Sequence, residues 1–253
     1  MNLQIAGKTA LVTGGSKGIG YAVAEGLVAE GVRVVVSARD EAVLETAAER
    51  LGRGGGDVVA IAADVSSAKG VRGLVDAALA RVGRIDVLVA NAGGPPAGLP
   101  SQLDDAAWAR ATELTLMSAV RLARAVLPGM RERAWGRIVN VTSLSVKQPI
   151  NDLTLSNALR SAVTAFARTL ANEVASEGVT VNAVAPGYTA TERLEELFAD
   201  DYARARLLAS IPAKRFATPV EVAAAAVFLC SQQAAYLTGQ TLVVDGGMVA
   251  SSY

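Results

Sequence analysis

Histidine is absent from all 253 residues. No imidazole can therefore act as base, proton shuttle or metal ligand, which removes Ser-His-Asp and Cys-His catalysis and most catalytic zinc sites. Cysteine occurs once, at Cys230, so an internal disulfide or a thiolate cluster is excluded. Net charge is lacking too, because 24 Lys and Arg balance 24 Asp and Glu. That balance leaves no electrostatic footprint of a dedicated nucleic-acid binder. Long hydrophobic runs are also missing: the most apolar helix-like stretch, residues 220–230, is broken by Glu221 and is too short to span a bilayer. The first ten residues lack the cationic start and apolar stretch of a secretory signal. A cytoplasmic protein acting on a small molecule, with neither nucleic acid nor membrane as partner, is the expectation.

What is present is a composition of 51% hydrophobic and 19% charged residues, which suits a folded chain with a large core. Short apolar runs rich in β-branched residues recur at 9–13, 33–37, 58–62, 85–89, 137–141, 180–184 and 241–244. Helix-length segments rich in Ala, Leu, Glu and Arg separate them. Runs apolar on both faces suit a buried parallel sheet, and the alternation supplies its crossovers. The expected fold is α/β: one Rossmann domain over residues 1–253, a seven-stranded parallel sheet with helices on both faces. Residues 191–208 are charged and amphipathic and interrupt the rhythm, so a substrate cap is expected at about 190–212.

The first strand-like run leads into Gly14-Gly-Ser-Lys-Gly-Ile-Gly20, after which a helix-like segment begins. Strand, glycine-rich turn and helix start come in the order a dinucleotide site requires. Glycine lets the backbone approach a pyrophosphate, and the unpaired amides of the helix start supply donors. Gly14, Ser16, Lys17, Gly18, Ile19 and Gly20 are the candidate contacts. At the end of the second strand, an acid would bind the free 2′-hydroxyl of NAD. Here Ala38 and Arg39 follow Ser37. Arg39 and Lys17 suit a 2′-phosphate, so NADP(H) is preferred and NAD(H) is the lesser expectation. Asp40 reads as the cap of the next helix.

These residues resemble the short-chain dehydrogenase/reductase family over nearly the whole chain. Thr13 to Gly20 resembles its cofactor turn, and Asp64-Val65 its adenine contact. Asn91-Ala92-Gly93 is similar to its Asn-Ala-Gly signature. Pro186-Gly187 with Thr191 is similar to its nicotinamide segment, and Asp245-Gly246-Gly247 to its last-strand signature. The resemblance implies hydride transfer between nicotinamide and a carbonyl or alcohol. In the family, a serine polarises the carbonyl, a tyrosine exchanges the proton, a lysine four residues later assists it, and an asparagine completes a relay. Ser143 stands at the serine position. Ser156 stands where the tyrosine is expected, Arg160 at the lysine position and Thr115 at the asparagine position. No Tyr-x-x-x-Lys occurs in the chain.

A serine hydroxyl is a far weaker acid than a phenol, and arginine does not titrate as a proton carrier. Lys147, Tyr188, Asp152 and a water held by Ser156 and Thr115 are further candidate proton sources, although Asp152 also reads as a helix N-cap. Three readings follow. The first is an NADP-dependent carbonyl reductase or alcohol dehydrogenase with a non-standard proton donor. The second is a catalytically impaired nucleotide binder, acting as sensor or partner subunit. The third is a lyase resembling the halohydrin dehalogenases, which carry arginine at the lysine position. By the same resemblance, segments 104–133 and 152–176 pair across a homodimer or homotetramer, with Ala158, Ala162 and Ala165 allowing close helix approach.

Overall fold

The computed structural model describes residues 1–197 and 200–250. Seven strands form one parallel sheet in the order β3-β2-β1-β4-β5-β6-β7. They are β1 (Thr9–Thr13), β2 (Arg33–Ala38), β3 (Val58–Ala62), β4 (Val87–Ala90), β5 (Gly136–Val141), β6 (Val179–Pro186) and β7 (Thr241–Val244). The expected sheet is present, with β4 shifted to begin at Val87, not at Ile85, and with β2, β5 and β6 each running one or two residues past their expected bounds. The Thr9 amide donates to the Asp86 carboxylate at 3.0 Å, so regular pairing with β1 starts only at Ala10↔Val87. Asp86 is buried and is paired with Arg84 at 3.0 Å and Arg133 at 3.2 Å.

Side chains alternate across the pleat, so each strand feeds two cores. Leu11, Val35, Leu88, Ile138 and Val181 pack with helices α3 (Ala68–Val82), α5 (Ser118–Glu132) and α6 (Thr154–Val174). Val12, Val34, Val36, Val89, Val139 and Val184 pack on the opposite face with α1 (Gly18–Ala29), α2 (Glu41–Gly52) and α9 (Pro219–Leu229). Burying one such Leu or Val contributes about 1.5–3 kcal/mol. The remaining helices are α4 (Asp105–Ala111), α7 (Glu192–Leu197) and α8 (Asp201–Ser210).

Two local features aim the chain at the cleft. Between α4 and α5, residues Thr112–Met117 form a wider π turn, a distortion that re-aims side chains without ending the helix. The start of α6 is tied down from outside. Gly98 N donates to Asp152 O at 2.6 Å, and Thr154 Oγ1 donates to Gly98 O at 2.8 Å. The Asn157 amide closes the preceding loop by donating to Ile150 O at 2.8 Å and accepting from Ile150 N at 3.2 Å. Asp152 is not the N-cap of α6. It is exposed with φ +64°, and Leu153 occupies the cap without a side-chain bond. Its backbone carbonyl is committed to the Gly98 loop, and a left-handed conformation serves that turn instead. Asp40 does cap α2, accepting from Val43 N at 3.1 Å.

Candidate active site

The sheet order reverses between β1 and β4, and the carboxyl ends of these strands open a crevice where such folds bind ligands. A cleft of about 1000 Å³ lies there. Its floor is the glycine turn. Gly14 has φ +58°, and a Cβ on it would stand 2.7 Å from Asn91 Nδ2. That amide donates to Gly14 O at 3.2 Å, while Thr13 Oγ1 and the Asn91 backbone exchange bonds of 2.8 and 3.0 Å. Asn91 thus clamps β4 to the turn. Gly14, Ser16, Lys17, Gly18 and Ile19 line the cleft. Gly20 does not line it: a Cβ there would meet Gly14 O at 2.1 Å, so its role is close packing of helix on turn.

Arg39, Asp64, Val65, Asn91, Ala92, Gly93, Pro186, Gly187 and Thr191 line the same cleft. The two cations proposed for a 2′-phosphate differ in state. Lys17 donates to Glu192 at the start of α7, and this bond holds its ammonium above the ordinary lysine range. Arg39 makes no ion pair or hydrogen bond among the described residues. Asp64 accepts from Ser66 N at 3.0 Å and Ser66 Oγ at 2.7 Å, which lowers its carboxyl, with Arg39 adding a smaller favourable field. Gly187 packs on Asp245, where a Cβ would come within 2.6 Å of Cα. The Asp245-Gly-Gly motif is a brace for that segment: its carboxylate accepts from Gly247 N at 2.9 Å and Val249 N at 2.7 Å.

At the other end of the cleft, Ser143 lies two residues past the end of β5, where it caps the short turn Leu144–Val146 by accepting from Ser145 N at 3.2 Å. Ser156 lies on the first turn of α6, and Arg160 lies one turn later. Arg160 Nε donates to Ser156 Oγ at 3.1 Å, and Nη1 donates to the carbonyls of Val141 and Thr142, each at 2.9 Å. Desolvation, and then the field of Arg193, lower this guanidinium to about 10. Ser143, Ser156 and Arg160 share the cleft with the glycine turn. Thr115 does not line it. It faces a separate cavity of about 20 Å³ behind, bounded also by Thr13, Asn91, Asn140 and Arg160. Thr115 Oγ1 and Asn140 Oδ1 are buried there without hydrogen-bond partners among the described residues.

The other proton candidates are sorted by position. Lys147 and Asp152 are exposed, and neither lines the cleft. Tyr188 lines the cleft half-buried, and desolvation raises its phenol. Of the expected cap, residues 190–194 and Leu197 line the cleft, whereas α8 does not. Phe198 and Ala199 lie outside the described residues. Arg193, missed in the sequence because it belongs to no motif, lines the cleft and donates to Pro95 O at 2.7 Å.

A family model described as enoyl-(acyl carrier protein) reductase matches residues 14–249. The chain belongs to the short-chain dehydrogenase/reductase family of oxidoreductases. It is 39% identical over 248 residues to the 3-oxoacyl-(acyl-carrier-protein) reductase FabG of Vibrio cholerae serotype O1, covering 98% of this chain and 99% of that protein. The structure of L-sorbose reductase from Gluconobacter frateurii, complexed with NADPH and L-sorbose, superposes with a TM-score of 0.93 at 37% identity. That match covers 99% of this chain and 100% of the other. A variant of actinorhodin polyketide ketoreductase with NADPH also gives a TM-score of 0.93 at 37% identity, with 99% and 100% covered.

Proposed function

We propose that this protein is an NADP(H)-dependent reductase of carbonyl compounds whose proton-transfer group is not the family tyrosine. The carrying observation is that Ser143, Ser156 and Arg160 converge on the end of the same cleft whose other end holds the glycine turn and Arg39. The cleft fits a dinucleotide. Gly14 and Gly18, at φ +58° and +57°, open the turn to a pyrophosphate, and Arg39 is uncommitted and can grip a 2′-phosphate. The NADPH of the two structural relatives agrees with that choice. When bound, the nicotinamide supplies or accepts the hydride.

The chain's own groups do the rest. The Ser143 oxygen accepts the Ser145 amide, which leaves its hydroxyl hydrogen to polarise a substrate carbonyl. Ser156 accepts from the Arg160 guanidinium, so its hydroxyl hydrogen is likewise left free to donate, beside a fixed positive charge. That charge stabilises an oxyanion forming at Ser143 and Ser156, and it lowers the demand on any acid. The proton itself comes through Ser156 from water. The small cavity behind, with the unpartnered Thr115 and Asn140 oxygens, is not lined by Ser156, so no single water is held by Ser156 and Thr115 together and the water that serves Ser156 stands in the cleft itself. Removal of the Ser156 hydroxyl is expected to slow turnover by about 100-fold or more, as a positioned proton transfer contributes roughly 10²–10⁴-fold.

The deciding measurement uses NADPH deuterated at the transferring carbon, offered with a broad panel of ketones, aldehydes and enones. Deuterium in a product supports the reductase. Tight NADPH binding with no label transferred to any member overturns it in favour of the sensor or partner-subunit reading. Halide release from a haloalcohol without NADPH would instead favour the lyase. We also propose a homodimer or homotetramer built on α5 and α6. Ala158 and Ala165 of α6 are exposed in the protomer and so are not spent on the sheet.

A further inference from the structure

Three segments meet at the end of the cleft that carries Ser156, and hydrogen bonds join them to one another. The loop after β4 meets the start of α6. Gly98 and Leu153 form a short parallel bridge, Gly98 N donates to Asp152 O at 2.6 Å, and Thr154 Oγ1 donates to Gly98 O at 2.8 Å. The same loop meets α7, where Arg193 Nη2 donates to Pro95 O at 2.7 Å. Ser156 stands three residues beyond Leu153 on α6, so this collar is built on the turn that carries it.

The polar side chains that the collar brings to the cleft are already committed. Arg193 gives its other terminal nitrogen to Glu196 at 3.3 Å, and Glu192 is bonded to Lys17. Thr189 and Thr191 donate to Gly187 O at 3.1 Å and to Thr189 O at 3.3 Å. Asn91 is bonded to Gly14, and Tyr188 has an interaction of its own within the protein. Asn151 and Asp152 are exposed and do not line the cleft. What the same segments leave open is hydrocarbon. Ile150, Leu153 and Leu197 line the cleft, joined by Leu114 on the π turn that packs against α6. All four are only half-buried, so folding leaves apolar area at the cleft that a ligand can cover.

We propose that the substrate is an apolar ketone or aldehyde, its hydrocarbon body against these four side chains and its carbonyl at Ser143, and that polyhydroxylated carbonyl compounds are rejected. This rests on the reductase reading and names its substrate class. A buried hydroxyl needs a partner to offset its lost hydration. Among the described residues, the hydroxyls left free to donate at this end are those of Ser143 and Ser156, and the carbonyl itself uses them. A methylene needs only to leave water.

The test is ligand-observed NMR titration of the enzyme saturated with NADP⁺, a dead-end state in which a ketone binds without turnover. The probes are 2-pentanone, 2-hexanone and 2-heptanone, with L-erythrulose as an open-chain ketose. Affinity is expected to rise by about fourfold for each added methylene, the transfer value of a buried CH₂. L-Erythrulose is expected to bind about tenfold or more weakly than 2-pentanone, as unpartnered hydroxyls require. Ile150→Ala and Leu197→Ala each shorten one apolar side chain without touching a backbone bond, and at least one is expected to reduce the increment to about twofold or less. A flat series, a ketose bound as tightly as 2-pentanone, an increment unchanged in both variants, or no binding by any ketone overturns the proposal. Deuterium transfer from labelled NADPH to the same compounds is measured separately. Label in the products with a flat affinity series leaves the reductase standing and removes only this inference. A rising series with no label transferred removes the reductase and leaves an apolar ligand instead of a substrate.

Discussion

Arg39 shows how one side chain sets cofactor choice. It follows Ala38 where an acid would hold a ribose hydroxyl, and it has no partner among the described residues to lose on binding. Charge-assisted hydrogen bonds contribute about 1.5–3 kcal/mol, so Arg39→Ala is expected to weaken NADPH by roughly 10–100-fold and to leave NADH nearly unchanged. Fluorescence titration with the two cofactors checks it, and equal losses would return the specificity to Lys17. Lys17 is the weaker candidate because Glu192 already holds it. Cys230 illustrates the opposite case. Burial pushes its thiol up to about 12, so it stays protonated and acts as a small core residue.

At the scale of elements, the site depends on how α6 and α9 begin. The first turn of α6 has no side-chain cap, so the bonds from the Gly98 loop fix where Ser156 stands. Thr154→Val removes one of them and is expected to lower turnover several-fold while Tm falls by only a few degrees, the combination that marks misplacement. Helix α9 instead starts with a capping box. Thr218 accepts from Glu221 N at 3.3 Å, and Glu221 accepts from Thr218 N at 2.8 Å and from Arg215. These bonds, Arg215 first, lower the Glu221 carboxyl to about 2. A depressed carboxyl stabilises the fold fully above the unfolded value and loses that contribution as pH falls toward the folded one. Protection of the amides in the first turn of α9, taken relative to their intrinsic exchange rates, is therefore expected to fall between about pH 4.5 and 2, and Glu221→Gln should flatten that dependence.

Across the whole molecule, the two cores differ little in character, and both are set by strand alternation. Leu88, fully buried in the core with α3, α5 and α6, is expected on truncation to Ala to cost about 2–5 kcal/mol. For a domain of this size that is roughly 5–15 °C in Tm, read by calorimetry. The equivalent loss of an exposed alanine such as Ala158 would tell more about assembly. Light scattering of the native protein is expected to give two or four copies, and Ala158→Arg is expected to reduce the mass if α6 is the contact. A native monomer at micromolar concentration would remove the assembly proposal.

The local code carried most of this protein. β-Branched runs made strands, Asp40 capped α2, and the glycine turn came between a strand and a helix, because these depend on neighbours in the chain and on a fixed period. No window of sequence encodes the state of a charge. Lys17 and Arg39 read as equivalent cations until the approach of α7 gave Glu192 to one of them. Asp152 read as a cap until the Gly98 loop claimed its carbonyl. Arg193 carried no motif at all and became notable only where its bond to Pro95 O placed it in the cleft wall. Histidine's absence was settled in the sequence and closed whole classes of mechanism, because a missing functional group cannot be folded into existence. Which of the remaining groups face one another was decided in three dimensions, because pairing between charges depends on distance and burial rather than order along the chain.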